Sequence, residues 1–474
     1  MLKKTKIVAT VGPSTSEKET LIEMIKEGVN VFRINFSHGS YSDHTTAIKK
    51  IKEADIELGT HTAILADLQG PKIRVGEMPE EGLLLSNGDE FILTNSEEKR
   101  TKLSAIISYK DLPADVKKGE SILLDDGKIV LETIKTDNQT TITTKVIAGG
   151  ILYSRKGVNL PNTVISTSSL TAKDKADLEV ALDNKVDWIG FSFVRNAREI
   201  IELRHLITQH GGNAKIIAKI EKPEAVENLE AIIEESDAIM VARGDLGVEV
   251  PLEKVPLLQK EIVNQSRQLA KPVIIATQMM ESMMSNITPN RAEVNDVANA
   301  VMDGADAVML SGETSVGKHP VEVIKIMTRI IKEVEEKFEP LYIHESIPKK
   351  NHERFITDSI CFNVCRLAQR VEAKGIVTMT HSGYTAFKIS SQRPKSSIFV
   401  FSSNKKLLET LSLVWGVSTY YYDKTVSTDH TIADIKYLLK ENGLVESGDL
   451  LINTASIPLE ESGKTNMLKL SYID

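Results

Sequence analysis

The chain has 474 residues, a formal net charge of −8, 41% hydrophobic residues and 5% aromatic residues. This length predicts two or three domains rather than one core, and the acidic balance argues against nucleic acid as the main partner. No apolar run approaches the ~20 residues of a membrane helix. The start lacks the pattern of a signal peptide, and the only cysteines, Cys361 and Cys365, stand four apart in a helical pattern. We therefore expect a cytoplasmic protein with reduced, packed thiols rather than a metal site.

Short apolar runs alternate with amphipathic segments from the first residues onward. They predict eight strands, over residues 5–11, 29–34, 62–67, 186–191, 214–220, 237–242, 272–277 and 306–310. Stripes such as Val321, Ile324, Met327, Ile331 and Val334 predict the helices between them. Eight strand–helix repeats predict an α/β fold, a (β/α)8 TIM barrel formed by residues 1–69 and 171–342. Those segments together are close to the ~250 residues that such a barrel usually needs.

Residues 70–170 interrupt this pattern after the third strand. They show no helical period but predict strands at 91–94, 121–124, 128–134 and 140–147, with a tight turn at residues 125–127. We interpret the segment as an inserted all-β domain. Because strand-to-helix loops lie at the catalytic face of a barrel, the insertion could act as a lid.

A polar link at 343–351 begins the last predicted domain, residues 343–474. A helical pattern leads to predicted strands at 375–379, 397–401, 417–422 and 449–453, with helices between them. This order predicts an open α/β sheet.

Chemically useful residues cluster at the ends of two neighbouring predicted barrel strands. Lys219 and Glu221 end the fifth strand, and Gly244 and Asp245 follow the sixth. Parallel strands joined by one helix end side by side, so Glu221 and Asp245 should converge beside Lys219. Two carboxylates and an ammonium favour a site for a hard divalent cation. Taken alone, a Lys-x-Glu sequence is also compatible with a surface ion pair.

Four further strand ends strengthen the first interpretation. They carry Arg33, Asn35 and Ser37; Asp67; Thr277; and Ser311 with Glu313. Acids, a lysine and an arginine at one barrel face suit a divalent ion and a phosphorylated anion.

At this point the residues resemble the pyruvate kinase family over essentially the whole chain. The motifs that carry the resemblance are residues 6–14 (KIVATVGPS), 33–39 (RINFSHG), 70–74 (GPKIR), 156–161 (KGVNLP), 219–221 (KIE), 242–247 (ARGDLG), 276–279 (ATQM) and 310–314 (LSGET).

The resemblance implies transfer of a phosphoryl group from phosphoenolpyruvate to ADP, giving ATP and pyruvate in the last step of glycolysis. It implies a cytoplasmic homotetramer without nucleic-acid or membrane partners, with Mg²⁺, or Mn²⁺ in its place, held by Glu221 and Asp245. The implied residue roles divide into three sets. The catalytic set is Lys219, Arg33, Thr277, Ser311 and Glu313; the substrate set is Arg33, Lys219, Gly244, Asp245 and Thr277; the nucleotide set is Asn35, Ser37, His38, Arg74 and Lys156.

The chain departs from the family next to the monovalent-cation positions, which correspond to Asn35, Ser37, Asp67 and the Leu68 carbonyl. Members that require K⁺ carry Thr-Lys-Gly-Pro-Glu after the strand-three aspartate, whereas this chain has Leu68-Gln69-Gly70-Pro71-Lys72. Lys72 could supply the charge that K⁺ otherwise provides, and it would repel a bound cation. We therefore predict K⁺-independent activity; the alternative is a lysine on the lid surface.

Residues 380–385 resemble the sugar-phosphate effector loop of the family, a loop that can bind phosphate through backbone amides. His381 and Tyr384 stand where responsive members carry basic residues. Activation by fructose 1,6-bisphosphate is therefore expected to be weak or absent, and a hydroxyl-rich helix cap is the other interpretation.

Three other functions account for less of the sequence. An aldolase or lyase barrel that stabilises an enolate with Mg²⁺ fits Lys219 and Glu221, but does not account for Arg33, Arg74 or the lid residue Lys156. A catalytically inactive regulatory relative would usually lack a metal ligand or the lysine, and both are present. A nucleic-acid-binding protein is disfavoured by the net charge.

Overall fold

The computed structural model describes residues 3–338, 353–424, 426–457 and 465–474. The chain begins with strands that are almost entirely buried and alternate with surface helices. The first elements are β1 (Lys6–Thr10), α1 (Lys18–Glu27), β2 (Val31–Asn35), α2 (Tyr41–Leu58) and β3 (Ala63–Asp67). Helix α2 begins at Ser40, whose side chain accepts a hydrogen bond from the Asp43 N–H, and ends at Gly59 in the left-handed conformation.

A β-rich insertion follows β3. Its elements are β4 (Leu83–Leu85), β5 (Glu90–Thr94), β6 (Ser104–Ile106), α3 (Leu112–Asp115), β7 (Ser121–Leu124), β8 (Ile129–Thr136), β9 (Thr141–Ala148), β10 (Gly150–Leu152) and β11 (Val158–Asn159). Six strands form a sheet in the order β11-β7-β8-β9-β5-β6, and β10 pairs with β4. The inserted β domain is confirmed. Helix α3 has only 4 residues, too few to produce a helical period in the sequence.

The chain then completes the barrel. The elements are α4 (Ala172–Asp183), β12 (Trp188–Phe191), α5 (Ala197–Gln209), β13 (Lys215–Ile220), α6 (Pro223–Glu227), α7 (Leu229–Glu235), β14 (Ala238–Ala242), α8 (Arg243–Glu249), α9 (Val255–Gln268), β15 (Val273–Ala276), α10 (Arg291–Asp303), β16 (Ala307–Leu310), α11 (Gly312–Ser315) and α12 (Pro320–Lys337). The parallel strands close in the order β1-β16-β15-β14-β13-β12-β3-β2. The predicted eight-stranded barrel is confirmed. Between β13 and β14 the chain forms two short helices, α6 and α7, which meet at Asn228.

The final domain is the predicted open α/β sheet. Its elements are α13 (Phe355–Arg370), β17 (Gly375–Met379), α14 (Tyr384–Ser391), β18 (Ser397–Ser402), α15 (Lys405–Leu411), β19 (Val417–Tyr421), α16 (Thr428–Glu441), β20 (Leu450–Ala455) and β21 (Met467–Tyr472). The sheet order is β19-β18-β17-β20-β21. Edge strand β21 is antiparallel to β20 and was not predicted. Cys361 and Cys365 are buried, free thiols in α13, as expected.

The final domain also contributes to the barrel interior. Leu413 is fully buried in one cluster with barrel residues such as Val8, Trp188 and Met240. Arg393 of the final domain forms an ion pair of 2.7 Å with Asp306, the residue before β16. The side chain of Lys6 in β1 donates a hydrogen bond of 2.7 Å to the Val417 carbonyl. The two domains therefore share apolar and polar contacts.

The polar link at 343–351 and the proposed boundary at residue 342 lie outside the described residues, so the domain limits remain predictions. Within the described ranges, no helix is both long and apolar enough to span a bilayer.

Candidate active site

The carboxyl ends of six barrel strands carry most of the predicted site residues. Strand pairing places β2 beside β3, β13 beside β14, and β15 beside β16. Arg33, Asn35, Asp67 and Lys219 belong to the strands themselves rather than to the loops that follow them. Because successive side chains of a strand point to opposite faces, the strand backbone fixes the direction in which Arg33 and Lys219 project.

Lys219 lies at the centre of a buried charge cluster. Its Nζ atom is 3.2 Å from Asp67 Oδ1 and 3.0 Å from Glu221 Oε1. It also donates a hydrogen bond of 2.8 Å to Ser192 Oγ. Burial lowers the pKa of Lys219, but the nearby carboxylates of Asp67 and Glu221 outweigh that effect and raise the net pKa above its ordinary value. Lys219 is thus a permanent cation near neutral pH.

Arg33 shares the Asp67 carboxylate with Lys219. Its Nε and Nη2 atoms lie 2.7 Å and 2.6 Å from Asp67 Oδ2. Burial alone would raise the pKa of Asp67, but Lys219 and Arg33 lower it overall. One fixed anion therefore orients two cations, and such fixed charges can stabilise a transferred phosphoryl group.

Glu221 directly follows β13, and Asp245 lies in the first turn of α8, which follows the adjacent strand β14. Burial raises the pKa of Glu221, Lys219 opposes that shift, and the Asp245 carboxylate adds to it. Glu221 Oε2 accepts a hydrogen bond of 2.7 Å from the Phe193 N–H. Glu221 Oε1 is buried and makes no hydrogen bond, although it lies at ion-pair distance from Lys219.

This donor set fits a magnesium ion that is completed by other ligands. In the described parts of the chain, no three His, Cys, Asp or Glu side chains form a group able to hold a metal. Mg²⁺ usually binds one or two protein carboxylates and takes its remaining oxygens from water and substrate. An unbonded oxygen on Glu221 and the neighbouring Asp245 meet that requirement.

Helix α8 begins directly where β14 ends, which places Gly244 against the next strand end. The Gly244 N–H donates a hydrogen bond of 2.7 Å to Thr277 Oγ1. Thr277 has a φ of 71°, in the left-handed region that β-branched residues rarely adopt. Arg243 supports this turn through a hydrogen bond of 2.9 Å to the Thr277 carbonyl and an ion pair of 2.6 Å with Asp296.

Glu313 joins two strand-end loops behind Thr277. Its carboxylate accepts hydrogen bonds from the N–H groups of Ser311 at 2.7 Å and Met280 at 3.2 Å. Glu313 is almost fully buried. It therefore fixes the loop after β15 relative to the loop after β16, and leaves the half-buried Ser311 beside the site.

The loop after β2 contains the other predicted polar residues of the barrel rim. Asn35 Oδ1 accepts a hydrogen bond of 3.1 Å from the Ser37 N–H. The His38 N–H donates to the Asn35 carbonyl at 3.3 Å, and the side chain of His38 is exposed. These contacts form a compact turn.

The lid residues are held mainly by contacts within the lid. Lys156 Nζ lies 2.9 Å from Asp125 Oδ1, and Arg74 donates a hydrogen bond of 3.0 Å to the Arg155 carbonyl. Lys72 is different, because its Nζ atom lies 3.4 Å from Asp245 Oδ1 of the barrel. The structure thus brings Lys72, but not Arg74 or Lys156, into contact with the predicted metal ligands.

Sequence reasoning missed the support that follows β12. Ser192 accepts from Lys219 and donates a hydrogen bond of 2.6 Å to the Leu68 carbonyl. The next residue, Phe193, has a φ of 56° and presents its N–H to Glu221. The position of Ser192 just after a barrel strand was the available signal.

Comparisons of the chain with known proteins identify its family. Residues 2–324 match the family model described as pyruvate kinase, barrel domain, and residues 358–471 match pyruvate kinase, alpha/beta domain. The chain is 42% identical to pyruvate kinase of Geobacillus stearothermophilus, covering 100% of this chain and 81% of the relative. It is 41% identical to that of Thermotoga maritima, with 100% of both chains covered. A crystal structure of a pyruvate kinase from Cryptosporidium parvum superposes with a TM-score of 0.93 at 35% identity, covering 100% of this chain and 96% of that one. The chain belongs to the pyruvate kinase family and is a phosphotransferase.

Proposed function

We propose that this enzyme transfers the phosphoryl group of phosphoenolpyruvate to ADP at the Lys219 cluster, without requiring K⁺. The observation that carries the proposal is the placement of Lys219 between Asp67 and Glu221, with Asp245 on the neighbouring strand end. In this arrangement, fixed charges face a site for a divalent cation at the rim of a barrel. Phosphoryl transfer depends mainly on such positioning and charge stabilisation.

Glu221 and Asp245 would hold Mg²⁺, or Mn²⁺ in its place. The ion would neutralise charge on the carboxylate and enolate oxygens of the substrate. Lys219 would face the phosphoryl group and the negative charge that develops on the enolate oxygen as the phosphorus–oxygen bond breaks. Arg33, oriented by Asp67 at 2.7 Å, would bind the phosphoryl oxygens through its remaining donors.

The substrate carboxylate would lie against the start of α8. The backbone N–H groups of Gly244 and Asp245 and the Thr277 hydroxyl are its proposed donors. In this structure the Gly244 N–H donates a hydrogen bond of 2.7 Å to Thr277 Oγ1. A bound carboxylate would replace that bond and would accept from both groups instead. Thr277, Ser311 and Glu313 form the proposed region from which the enolate receives its proton.

The nucleotide would bind between the β2 loop and the lid. Asn35, Ser37 and His38 supply the barrel side, and Arg74 and Lys156 supply the lid side. Lys156 is paired with Asp125 at 2.9 Å. An ADP phosphate would therefore compete with that carboxylate for the ammonium group, and lid closure would exclude water from the transferred group.

The contacts of the monovalent-cation positions support independence from K⁺. Asn35 Oδ1 accepts from the Ser37 N–H, the Leu68 carbonyl accepts from Ser192, and Asp67 pairs with two cationic side chains. Lys72 brings an ammonium to 3.4 Å from Asp245. A fixed ammonium group beside Asp245 can replace part of the positive charge that a bound monovalent cation would supply.

One coupled assay tests the whole proposal. Phosphoenolpyruvate, ADP and Mg²⁺ should yield pyruvate at the same rate in K⁺-free tetramethylammonium buffer as in K⁺ buffer. Pyruvate formation without ADP would indicate a different enolate enzyme. A many-fold rise on adding K⁺ would contradict the role of Lys72. We further propose that the protein is cytoplasmic and forms a homotetramer; light scattering of the purified protein would test the tetramer.

A further inference from the structure

A polar contact of Asn159 joins the lid to the barrel, in addition to the contact of Lys72 with Asp245. Asn159, at the end of lid strand β11, donates a hydrogen bond of 2.9 Å to Glu249 Oε1. The same oxygen lies 2.7 Å from Lys222 Nζ. We call these three residues, Asn159, Lys222 and Glu249, the lid latch.

The barrel half of the lid latch is a buried ion pair. The side chains of Lys222 and Glu249 are only 8% and 1% exposed. Glu249 Oε2 is buried without a hydrogen-bond partner. A buried carboxylate that lacks hydrogen-bond donors destabilises the folded protein. Glu249 loses one such donor, the amide of Asn159, whenever the lid moves away.

The lid latch connects to both halves of the proposed reaction site. Glu249 ends helix α8, which starts with Gly244 and Asp245, and Lys222 directly follows Glu221. On the lid side, Asn159 follows Lys156 by three residues. Its strand pairs with β7, which runs into Asp125, the partner of Lys156. A shift of Asn159 is therefore transmitted to the ammonium group proposed to bind ADP.

A small cleft lies beside the lid latch. About 30 Å³ of space lies between lid residues such as Val158 and Leu160 and barrel residues such as Phe193 and Arg195, with Asn159 and Glu249 on its walls. The hydrogen bond between Asn159 and Glu249 therefore joins lid and barrel at a place where their surfaces are not in continuous contact, and it can influence the position of the lid.

We propose that Asn159 is a positioning residue, which holds the lid over the barrel through Glu249 and so aligns Lys156 and Arg74 for ADP. This inference rests on the proposed function, because it assigns the nucleotide to the lid side of the site. It predicts a defect in nucleotide binding that leaves the chemistry of the enolate unchanged.

The decisive variant is Asn159→Ala in the full-length enzyme. The KM for ADP should rise about tenfold, since hydrogen bonds to charged groups are among the stronger ones, while the KM for phosphoenolpyruvate changes less than about twofold. Nucleotide-free exchange of the pyruvate methyl protons with D₂O, followed by NMR with Mg²⁺, should keep the wild-type rate. An unchanged KM for ADP, or an equal loss of exchange, would overturn the proposal.

Asn95→Ala is the matched control within the lid. Asn95 is half-buried, and its amide donates hydrogen bonds to the carbonyls of Lys110 and Gln139, both in the lid. The substitution removes the same chemical group without touching the barrel. Its KM for ADP should stay at the wild-type value; a rise equal to that of Asn159→Ala would show that any damage to the lid suffices and would refute a specific latch.

A double-mutant cycle with Glu249→Gln tests the contact itself. The introduced glutamine would still accept a hydrogen bond but would carry no charge, so Asn159→Ala should raise the KM for ADP less in that background. Additive effects would contradict the latch. Calorimetric titration of each variant with Mg·ADP gives a readout that needs no turnover. If the wild-type enzyme binds ADP but forms no pyruvate, the proposed function is refuted. The latch is then tested by the affinities of the variants for Mg·ADP.

Discussion

At the scale of single residues, the site depends on a lysine whose charge is fixed by its neighbours. Lys219 is buried and lies within 3.2 Å of two carboxylates, which raise its pKa despite burial. Asp67 divides its two oxygens between Lys219 and Arg33. Removing one member of such a cluster leaves other charges uncompensated, so activity and stability must be measured together.

Replacing Lys219 by Met should preserve the fold and lower turnover by about 10²–10⁴ or more, because a fixed cation would no longer face the developing charge. Circular dichroism should report the retained fold, and the coupled assay the loss. Lys215→Met is the matched control, since Lys215 begins the same strand and pairs with Asp237 at 3.0 Å. Near-normal turnover in Lys219→Met would refute the assigned role.

Replacing Lys72 by Glu should make the enzyme dependent on K⁺. The substitution removes an ammonium that lies 3.4 Å from Asp245 and adds a carboxylate in its place. We expect turnover in K⁺-free buffer to fall about tenfold or more and to recover when K⁺ is added. Lys72→Met, which lacks both charges, should lose activity without recovery. If K⁺ does not restore the turnover of Lys72→Glu, the proposal that the Lys72 ammonium replaces a bound K⁺ is wrong.

At the scale of elements, β14 and α8 form a strand end that becomes a helix without a connecting loop. This junction puts the N–H of Gly244 within 2.7 Å of Thr277 Oγ1. A Cβ atom at position 244 would lie 3.3 Å from the same oxygen. A side chain at position 244 would therefore crowd the Thr277 hydroxyl at the next strand end.

Gly244→Ala should raise the KM for phosphoenolpyruvate about tenfold, because the added methyl group displaces Thr277 and crowds the proposed carboxylate site. Initial rates over a range of phosphoenolpyruvate concentrations would measure it. Gly247→Ala, in the same helix, is the control: its Cβ atom would lie 3.3 Å from a flexible leucine methyl group, that of Leu252. Equal effects of both substitutions would point to damage to α8 rather than to the site.

Helix α2 should make the protein sensitive to acid through His44. Burial lowers the pKa of His44, with Asp177 and Asp43 opposing the shift and Lys173 adding to it. The unfolded chain therefore takes up this proton more readily, and stability is lost as the pH falls through about 6.5. Between about pH 7.5 and about pH 5.5, Tm should drop more in the wild type than in His44→Gln. Parallel curves would show that His44 does not contribute.

The sequence predicted those elements whose periodicity reflects burial. The eight barrel strands follow from short continuous apolar runs, and the stripe containing Ile324 and Met327 follows from helical spacing. The contacts of Ser192 and Asn159 were not predicted, because a single serine or asparagine does not indicate from the sequence which distant side chain it will meet. Their importance comes from three-dimensional contacts with Lys219 and Glu249. Strand β21 was also missed, since it pairs only after the preceding fold exists.

At the scale of the whole molecule, the barrel and the final domain share one interior. Leu413 is fully buried among inward-facing barrel residues. Both tryptophans lie at this junction: Trp188 donates a hydrogen bond of 3.3 Å to the Thr410 carbonyl, and Trp415 stacks against Arg393 at 4.9 Å. Intrinsic fluorescence therefore reports on the contact between the two domains.

Leu413→Ala should destabilise the protein by about 2–5 kcal/mol, because it leaves a cavity in a packed interior. Thermal unfolding followed by tryptophan fluorescence should show a lower Tm with an early change at the junction. Leu257→Ala, at a leucine that is 69% exposed, serves as the control and should leave Tm nearly unchanged. A wild-type Tm in Leu413→Ala would mean that the final domain adds no support to the barrel.

The position of Leu413 in the chain has a consequence for biosynthesis. During translation, the last barrel strand leaves the ribosome about a hundred residues before Leu413 does. During that interval the nascent barrel exposes the apolar opening that Leu413 later fills. A chaperone could bind the barrel at this stage. We expect ribosome-bound chains that stop before Leu413 to remain sensitive to protease, and chains that include the complete final domain to become resistant.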